Sequence, residues 1–347
     1  MKKTLVALAA LAATGAFAQS SVTLSGTVDA TVQYGSVDGG NTKTALGNSG
    51  LNSSEFRFSG TEDLGGGLKV GFALAAGVNN DSGAGAATNT SNQVAGATTG
   101  TGFNFNRMSL LKLSGSFGEI KAGRDYTPLF WTEAIYDPFG INGVGTSRAF
   151  NGGAAQFGST AVRASNSIGY VSPNMGGFGV WAQLSMGENL SSAASNAAGD
   201  GVSIQATYNQ GPLSLAAAYG KTNISAGVDA EGTNFGGTYD LGVATLNAYV
   251  QKNKLTGSHD VDGYLVGGTM PVGAGAVRAS YSATDNGTAK STQFALGYVY
   301  NFSKTVQAYA TFASVSNDGG AAASLNGATG IANASSTGFD FGLSKKF

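Results

Sequence analysis

The chain has 347 residues, of which 55 are glycine, one is histidine and none is cysteine. Only 11% of the residues are charged, against about 25% in a typical soluble domain, and the formal net charge is −1. This balance gives no reason to expect nucleic acid as a partner, and no disulfide stabilises the protein. A single histidine leaves little room for a histidine-based triad or metal cluster, so we predict no enzyme activity, no metal site and no cofactor.

The first 18 residues have the pattern of a secretory signal peptide. Two lysines precede an apolar run from Leu5 to Leu11, and Ala16-Phe17-Ala18 forms a small-residue cleavage site. The apolar run is shorter than the roughly 20 residues that span a bilayer. We therefore expect residues 1–18 to be removed and residues 19–347 to form one folded domain.

Alternation of apolar and polar residues dominates the chain from Val22 onward. Val22, Leu24 and Val28 alternate with threonine, serine and aspartate, and the same pattern returns around residues 204, 248 and 310. A period of two is typical of β-strands, and no helical period competes with it. We count sixteen strands, with approximate centres near Val28, Phe58, Phe72, Leu110, Ala122, Ile168, Ala182, Ala206, Ala216, Thr238, Ala248, Val266, Ser280, Leu296, Ala308 and Phe341.

The connections between these strands alternate in length. Short turns such as Asp63–Gly67 and Gln210–Pro212 alternate with long stretches rich in glycine, alanine, serine and asparagine, such as Ser36–Gly50 and Ser316–Ser335. Short turns at one end and long loops at the other are typical of outer-membrane barrels. The pattern predicts an all-β protein, a 16-stranded antiparallel transmembrane β-barrel.

The physical reason is that a bilayer offers no partner to backbone N–H and C=O groups, so a sheet within it must close on itself. Each strand then turns one face to lipid and the other to a wet lumen. A soluble β-sandwich, the main alternative together with a fibrous secreted protein, would instead need two apolar faces to meet in a core.

One connection differs from the others. The strand pattern around Ala122 stops at Thr127-Pro128, and about 35 residues follow before Arg163 opens the next strand. Loops of this length are uncommon and usually functional. This loop carries large apolar side chains, namely Leu129, Phe130, Trp131, Ile135, Tyr136, Phe139 and Phe150. Because such a loop must pack against a surface, we predict that it folds into the barrel; an ordinary extracellular lid is the alternative.

Several short motifs add a family resemblance. They are Gln19-Ser20-Ser21-Val22-Thr23-Leu24-Ser25-Gly26 followed by Asp29, Gly60-Thr61-Glu62-Asp63-Leu64-Gly65-Gly66-Gly67-Leu68, Asn106-Arg107, Phe117-Gly118, Gly123-Arg124, Asn166-Ser167-Ile168-Gly169-Tyr170, Ser172-Pro173 and the final Phe347. In these motifs the sequence resembles the Gram-negative general porins, especially the β-proteobacterial type. The resemblance implies a homotrimer in outer-membrane lipid, with lipopolysaccharide at its rim. It also implies short periplasmic turns, long extracellular loops and a third loop that narrows the lumen.

The resemblance also implies a set of pore residues. The family places basic wall residues opposite acidic residues of the inward loop, and by position Arg124 and Arg163 correspond to wall arginines and Glu133 and Asp137 to the acidic partners. The alternation of polar and apolar residues supports a lumen position for Arg163, because it shares a strand face with Ser165 and Ser167. Arg124 shares a face with apolar residues, so its lumen position would need a bulge.

The second strand departs from the family pattern. Glu55 stands where the family usually has arginine, and Arg57 stands where it has a small residue. Both share a face with Ser59, so we include Glu55 and Arg57 in the predicted constriction. Arg278 is a further candidate, with a solvated barrel wall as the equally supported alternative.

These features favour passive diffusion of small hydrophilic solutes and ions through a water-filled channel. The alternative is a substrate-specific channel for a sugar or organic anion, in which Phe130, Trp131 and Tyr136 would stack on the substrate. A hydrolase or an adhesin has less support. The sequence does not identify a serine that would act with His259, and the stretch Asp81–Gly102 has no aromatic anchor.

Overall fold

The computed structural model describes residues 21–92, 98–99, 102–150, 157 and 160–347. The predicted signal peptide, residues 1–18, lies outside the described residues. Among the described residues, no helix is both long and apolar enough to cross a membrane. The strands are β1 Ser21–Val37, β2 Thr42–Asn48, β3 Glu55–Gly65, β4 Leu68–Asn79, β5 Ala84–Gly85, β6 Thr88–Asn89, β7 Thr98–Thr99, β8 Met108–Gly115, β9 Gly118–Tyr126, β10 Arg163–Val171, β11 Phe178–Ser185, β12 Gly201–Gln210, β13 Leu213–Ser225, β14 Val228–Asp240, β15 Thr245–Leu255, β16 Val261–Val272, β17 Gly275–Asp285, β18 Lys290–Asn301, β19 Val306–Asp318 and β20 Ser336–Lys346, and helix α1 is Pro128–Tyr136.

Sixteen of these strands close into one antiparallel barrel. Strands β1, β3, β4 and β8 to β20 pair in chain order, and β1 closes the sheet by pairing with β20 from Thr27 opposite Lys346 to Val37 opposite Ser336. The sixteen-stranded barrel prediction is confirmed, and each predicted strand centre lies within one of these strands. In the part of the chain that the structure describes, closure pairs the first and last barrel strands, as a bilayer requires.

The second barrel strand is interrupted. Strand β2 pairs with β1 from Ala30 to Ser36, while β3 pairs with β1 from Ser21 to Thr27. The fully buried carboxylate of Asp29 accepts hydrogen bonds from the N–H groups of Gly50, Leu51 and Asn52 at 3.1, 3.2 and 2.9 Å. Between β2 and β3 these N–H groups have no strand carbonyl to pair with, and the Asp29 carboxylate serves as their acceptor instead.

The two faces of the wall differ as the alternation predicts. Large apolar side chains are exposed on the outer face, among them Leu24, Val32, Ile168, Leu184, Val266 and Phe341. Polar side chains on the inner face are buried, among them Ser167, Gln183, Ser203, Gln205, Gln251 and Gln293. An exposed apolar band around a polar interior is the arrangement that lipid outside and water inside favour.

Residues 127–162 are named here the inward loop. Its described residues fold inside the barrel, where its helix α1, Pro128–Tyr136, packs against strands β11 to β15. The loop begins with helix α1, which the sequence pattern did not predict. Thr127 caps the helix by accepting a hydrogen bond from the N–H of Phe130 at 3.3 Å, and Pro128 occupies its first turn. The helix has only nine residues and apolar groups on most sides, so it shows no clear amphipathic period.

Candidate functional site at the pore constriction

The inward loop is fixed to the barrel wall by polar side chains of the inner face. Ser203 accepts a hydrogen bond from the N–H of Leu129 at 3.0 Å, and the amide of Asn234 donates to the carbonyl of the same residue at 2.9 Å. The amide of Gln293 donates to the carbonyls of Val144 and Thr146 at 3.2 and 2.9 Å. Further contacts to the loop come from Gln205, Asn247, Gln251 and Ser282. These side chains satisfy loop backbone and side-chain groups that water would otherwise solvate.

The last strand holds the far part of the loop. Oδ2 of Asp340 accepts a hydrogen bond from the N–H of Val144 at 2.7 Å. Gly143 has φ +64°, and a Cβ there would lie 2.6 Å from the same carboxylate oxygen. Only glycine therefore fits this approach without strain. These contacts hold the loop along the wall of β12 to β20. We infer that the opening lies on the opposite side, towards β3, β8 and β9.

The side of α1 that faces this opening is apolar. Trp131 and Ile135 are one helical turn apart and are 40% and 39% exposed, whereas Leu129, Phe130 and Tyr136 are buried. Of the three aromatic residues predicted to stack on a substrate, only Trp131 is exposed.

Beside this side of α1 lies a group of charged side chains on the wall. Oε1 of Glu55 lies 2.9 Å from Nη2 of Arg57, and Oε2 of Glu55 lies 2.6 Å from Nε of Arg107. Nη2 of Arg107 donates to the hydroxyl oxygen of Tyr126 at 3.0 Å. The structure therefore brings together the predicted residues Glu55 and Arg57, and adds Arg107.

Arg163 joins the same group. Its Nη2 donates to the hydroxyl oxygen of Tyr126 at 2.9 Å, and its guanidinium lies 4.4 Å from the centre of the tyrosine ring. We name Arg57, Arg107 and Arg163, with Glu55 and Tyr126, the arginine cluster. The cluster contains three guanidinium groups and one carboxylate, so it carries an excess of positive charge. Arg107 and Tyr126 were not among the predicted site residues. The only sequence signal for Arg107 was its place in the family motif Asn106-Arg107.

The alternation argument for Arg163 does not hold in the structure. The pairing of β10 with β9 shifts between Ala164 and Ser167, so two residues of β10 face one residue of β9. Ser165 turns away and donates to the carbonyl of Asn89 at 2.7 Å. Arg163 reaches the arginine cluster because the bulge interrupts the period of two.

Arg124 lies opposite this bulge and makes other contacts. Its Nε donates to the carbonyl of Asn106 at 2.6 Å, and its Nη1 donates to the carbonyl of Asn89 at 3.2 Å and to Ser165 at 2.7 Å. Asn89 and Asn106 lie in the connection between β4 and β8, named here the second loop, and Ser165 lies in the bulge. The side chain therefore fastens the second loop to the barrel, and the structure does not bring it to Glu55 or Tyr126.

Glu133 lies on the side of α1 that faces the wall. Its Oε1 is 2.6 Å from the hydroxyl oxygen of Tyr249, which is also 2.8 Å from Oε1 of Gln251. One tyrosine hydroxyl has one proton, so both contacts are hydrogen bonds only if Glu133 carries a proton of its own. Burial raises the pKa of Glu133 to about 8, in agreement with this proton count.

Asp137 ends α1 and is buried. Its carboxylate accepts hydrogen bonds from the N–H groups of Phe139 at 2.8 Å and Ser147 at 3.1 Å. Burial raises the pKa of Asp137 to about 6, and these hydrogen bonds and the charge of Arg278 limit the rise. Both acidic residues of the loop therefore point away from the opening. The positive charge of Arg278 interacts with the Asp137 carboxylate.

Among the described residues, histidine and acidic side chains do not gather into a metal site elsewhere. His259 lies in the connection between β15 and β16. Within the described ranges, no group of three or more histidine, aspartate and glutamate residues could hold a metal ion.

A closed antiparallel barrel with polar interior, apolar exterior and inward loop defines the porin class of outer-membrane channel. The model of the Gram-negative porin family matches residues 4–320. The chain belongs to the Gram-negative porin family and is a protein of the outer membrane.

Individual relatives agree with this assignment. Outer membrane porin protein 32 of Delftia acidovorans is 38% identical over 231 residues, a match that covers 65% of this chain and 62% of that protein, which is less than two thirds of its length. The structure of an anion-selective porin from Comamonas acidovorans is 32% identical, with a TM-score of 0.84, and the match covers 95% of this chain and 100% of that one. OmpT of Vibrio cholerae in a trimer form is 16% identical, with a TM-score of 0.63, over 94% of this chain and 99% of that one, which supports the fold alone.

Proposed function

We propose that this porin is a passive, water-filled channel for small hydrophilic solutes and ions, and that its constriction favours anions. The observation that carries the proposal is the arginine cluster, in which Arg57 and Arg107 share the carboxylate of Glu55 and Arg163 donates to the hydroxyl of Tyr126. The two acids of the inward loop do not face these arginines across the opening. The constriction therefore has a positive side without an exposed negative side.

The size of the effect follows from Coulomb's law. One unit charge about 5 Å from a passing ion changes the ion's energy by about 0.8 kcal/mol even at the dielectric constant of water, which is about fourfold in partitioning. The effect falls with salt, because the screening length shrinks from about 8 Å at physiological ionic strength to about 3 Å at 1 M. We expect anion preference at low salt and little preference at high salt.

The comparisons support the proposal in two ways. A relative of similar length and fold is an anion-selective porin. A protein with the same fold has been obtained in a trimer form. We also propose a homotrimer in outer-membrane lipid, with lipopolysaccharide as a partner at the extracellular rim, as membership of the Gram-negative porin family implies.

The test is planar-bilayer recording of the purified, folded protein under a KCl gradient. We expect ohmic steps, three for each trimer, and a reversal potential that indicates anion preference. Arg57→Gln and Arg107→Gln should each move that potential toward cation preference. Lys345→Gln, which removes the same charge at an exposed position of β20, is the matched control and should leave it near the wild-type value.

Two results would contradict the proposal. Folded protein that produces no conductance steps would exclude a diffusion channel. Equal shifts from Arg57→Gln and Lys345→Gln would show that the arginine cluster does not set the preference.

A further inference from the structure

Both tryptophans of the protein line one cavity in the lumen. The chain has two tryptophans, and Trp131 of α1 and Trp181 of β11 border the same cavity of about 370 Å³. Arg57, Lys121 and Tyr126 are also in its lining. The cavity lies between the inward loop and strands β3, β9, β11 and β12, directly beside the arginine cluster. A cavity of this volume is at the lower end of the range for small-molecule sites.

The charged groups of this cavity leave one cation available to a ligand. Lys121 is paired with Asp125 at 3.1 Å, so this pair is neutral overall. The Nε and Nη2 groups of Arg57 both donate to Oε1 of Glu55, at 3.2 and 2.9 Å. A guanidinium has five N–H donors, and the Arg57 side chain is 37% exposed, so its other donors face solvent. Because Glu55 also pairs with Arg107, its one negative charge does not fully neutralise the positive charge of Arg57.

The apolar part of the cavity consists of flat aromatic surfaces. The rings of Tyr126 and Trp131 lie 5.3 Å apart and are inclined at 46°, and Trp131 is 40% exposed. The ammonium of Lys121 lies 4.2 Å from the centre of the Trp181 ring on the other side of the cavity. Flat rings beside an exposed guanidinium present stacking surface and an anion-binding group within one small volume.

We infer that this cavity is a binding subsite for small aromatic carboxylates, with the carboxylate on Arg57 and the ring against Trp131. The inference rests on the proposed function, because it names a class of anion that the channel retains briefly while it passes. An aliphatic carboxylate of similar charge lacks the stacking surface, and a neutral aromatic alcohol lacks the anion. Neither should be retained as well as a solute that has both groups.

The two tryptophans report directly on the site. Because both line the cavity, intrinsic tryptophan emission of the folded full-length protein in detergent should change saturably on titration with benzoate. Acetate and benzyl alcohol are the control probes and should cause no saturable change at the same concentrations. Arg57→Gln keeps both tryptophans and should raise the half-saturating benzoate concentration about tenfold.

Two further variants separate the ring from the charge. Trp131→Leu removes the stacking surface and leaves Trp181 as reporter, so benzoate should lose its advantage over acetate. Lys345→Gln should titrate like the wild type. Identical responses to benzoate and acetate, or wild-type benzoate binding by both Arg57→Gln and Trp131→Leu, would overturn the inference.

Conductance distinguishes this inference from the proposed function. At half-saturating concentration, benzoate should reduce the wild-type current more than acetate does at equal ionic strength. A normal anion-preferring conductance without a benzoate response would refute the subsite and leave the channel proposal standing. Saturable benzoate binding without any conductance would refute the channel instead.

Discussion

Glu55 and Arg107 form an ion pair of 2.6 Å, although they are 52 residues apart in the chain. Glu55 is the first residue of β3 and Arg107 directly precedes β8. The pair forms because β4 pairs with both of these strands. Since Glu55 also binds Arg57, a negative charge lies within the positive group that we propose to select anions.

Replacing Glu55 by glutamine should therefore increase the anion preference. Glu55→Gln removes the only carboxylate of the arginine cluster, and the change in partitioning should be about fourfold at low salt and much smaller at 1 M KCl. Reversal potentials under a KCl gradient measure it. Glu62→Gln, at an exposed position of the same strand, is the matched control. An unchanged reversal potential would remove Glu55 from the constriction.

Arg124 should matter for stability and not for selectivity. Arg124→Gln removes donors to the carbonyls of Asn106 and Asn89 and to Ser165, and should lower the free energy of unfolding by about 1–3 kcal/mol. Thermal unfolding and reversal potentials of the same preparation measure the two effects. A shift in reversal potential as large as that of Arg57→Gln would instead support the lumen position that the family resemblance implies.

Asp340 should hold the inward loop in place. Asp340→Ala leaves the N–H of Val144 without its acceptor and removes one of the three acceptors of the Asn326 amide, at a cost of about 1–3 kcal/mol. We expect a noisier single-channel current and a lower unfolding temperature. Asp318→Ala, whose exposed carboxylate accepts from the neighbouring N–H of Gly319, is the control. Quiet, wild-type currents from Asp340→Ala would show that the other wall contacts suffice.

The proton on Glu133 should make stability depend on pH. Because the folded protein raises the pKa of Glu133 from 4.5 to about 8, it binds this proton more tightly than the unfolded chain does. The stabilisation is complete below about pH 4.5, falls as pH rises, and is lost above about pH 8. Glu133→Gln stays neutral, so its unfolding temperature should fall less between pH 5 and 8 than that of the wild type. Parallel pH profiles for the two proteins would contradict a protonated Glu133.

Much of the fold could be predicted from the sequence. The period of two in β1 or β12 fixes which side chains face lipid, because successive side chains of a strand point to opposite faces. The number of strands follows from counting such segments between turns. The length and apolar content of residues 127–162 were enough to predict an inward position.

The candidate site was less predictable, because it depends on local breaks in that period. Because of the bulge in β10, Arg163 and Ser165 do not share a face. The positions of Arg124 and Arg163 along their strands are therefore not enough to predict which residues they contact. Glu133 and Asp137 lie on a short helix whose orientation no sequence period specifies. Which side of α1 faces the opening is decided by its contacts with the wall.

The sequence by itself determined the closed barrel, its outer and inner faces and the presence of a long apolar loop, since these follow from a repeating pattern and from the need to pair every backbone group in lipid. Only the tertiary structure decided which charges meet. Arg107 reaches Glu55, Arg163 reaches Tyr126 and Glu133 reaches Tyr249 through pairings between residues distant in the chain. Such contacts depend on strand register and loop orientation, which no single segment encodes.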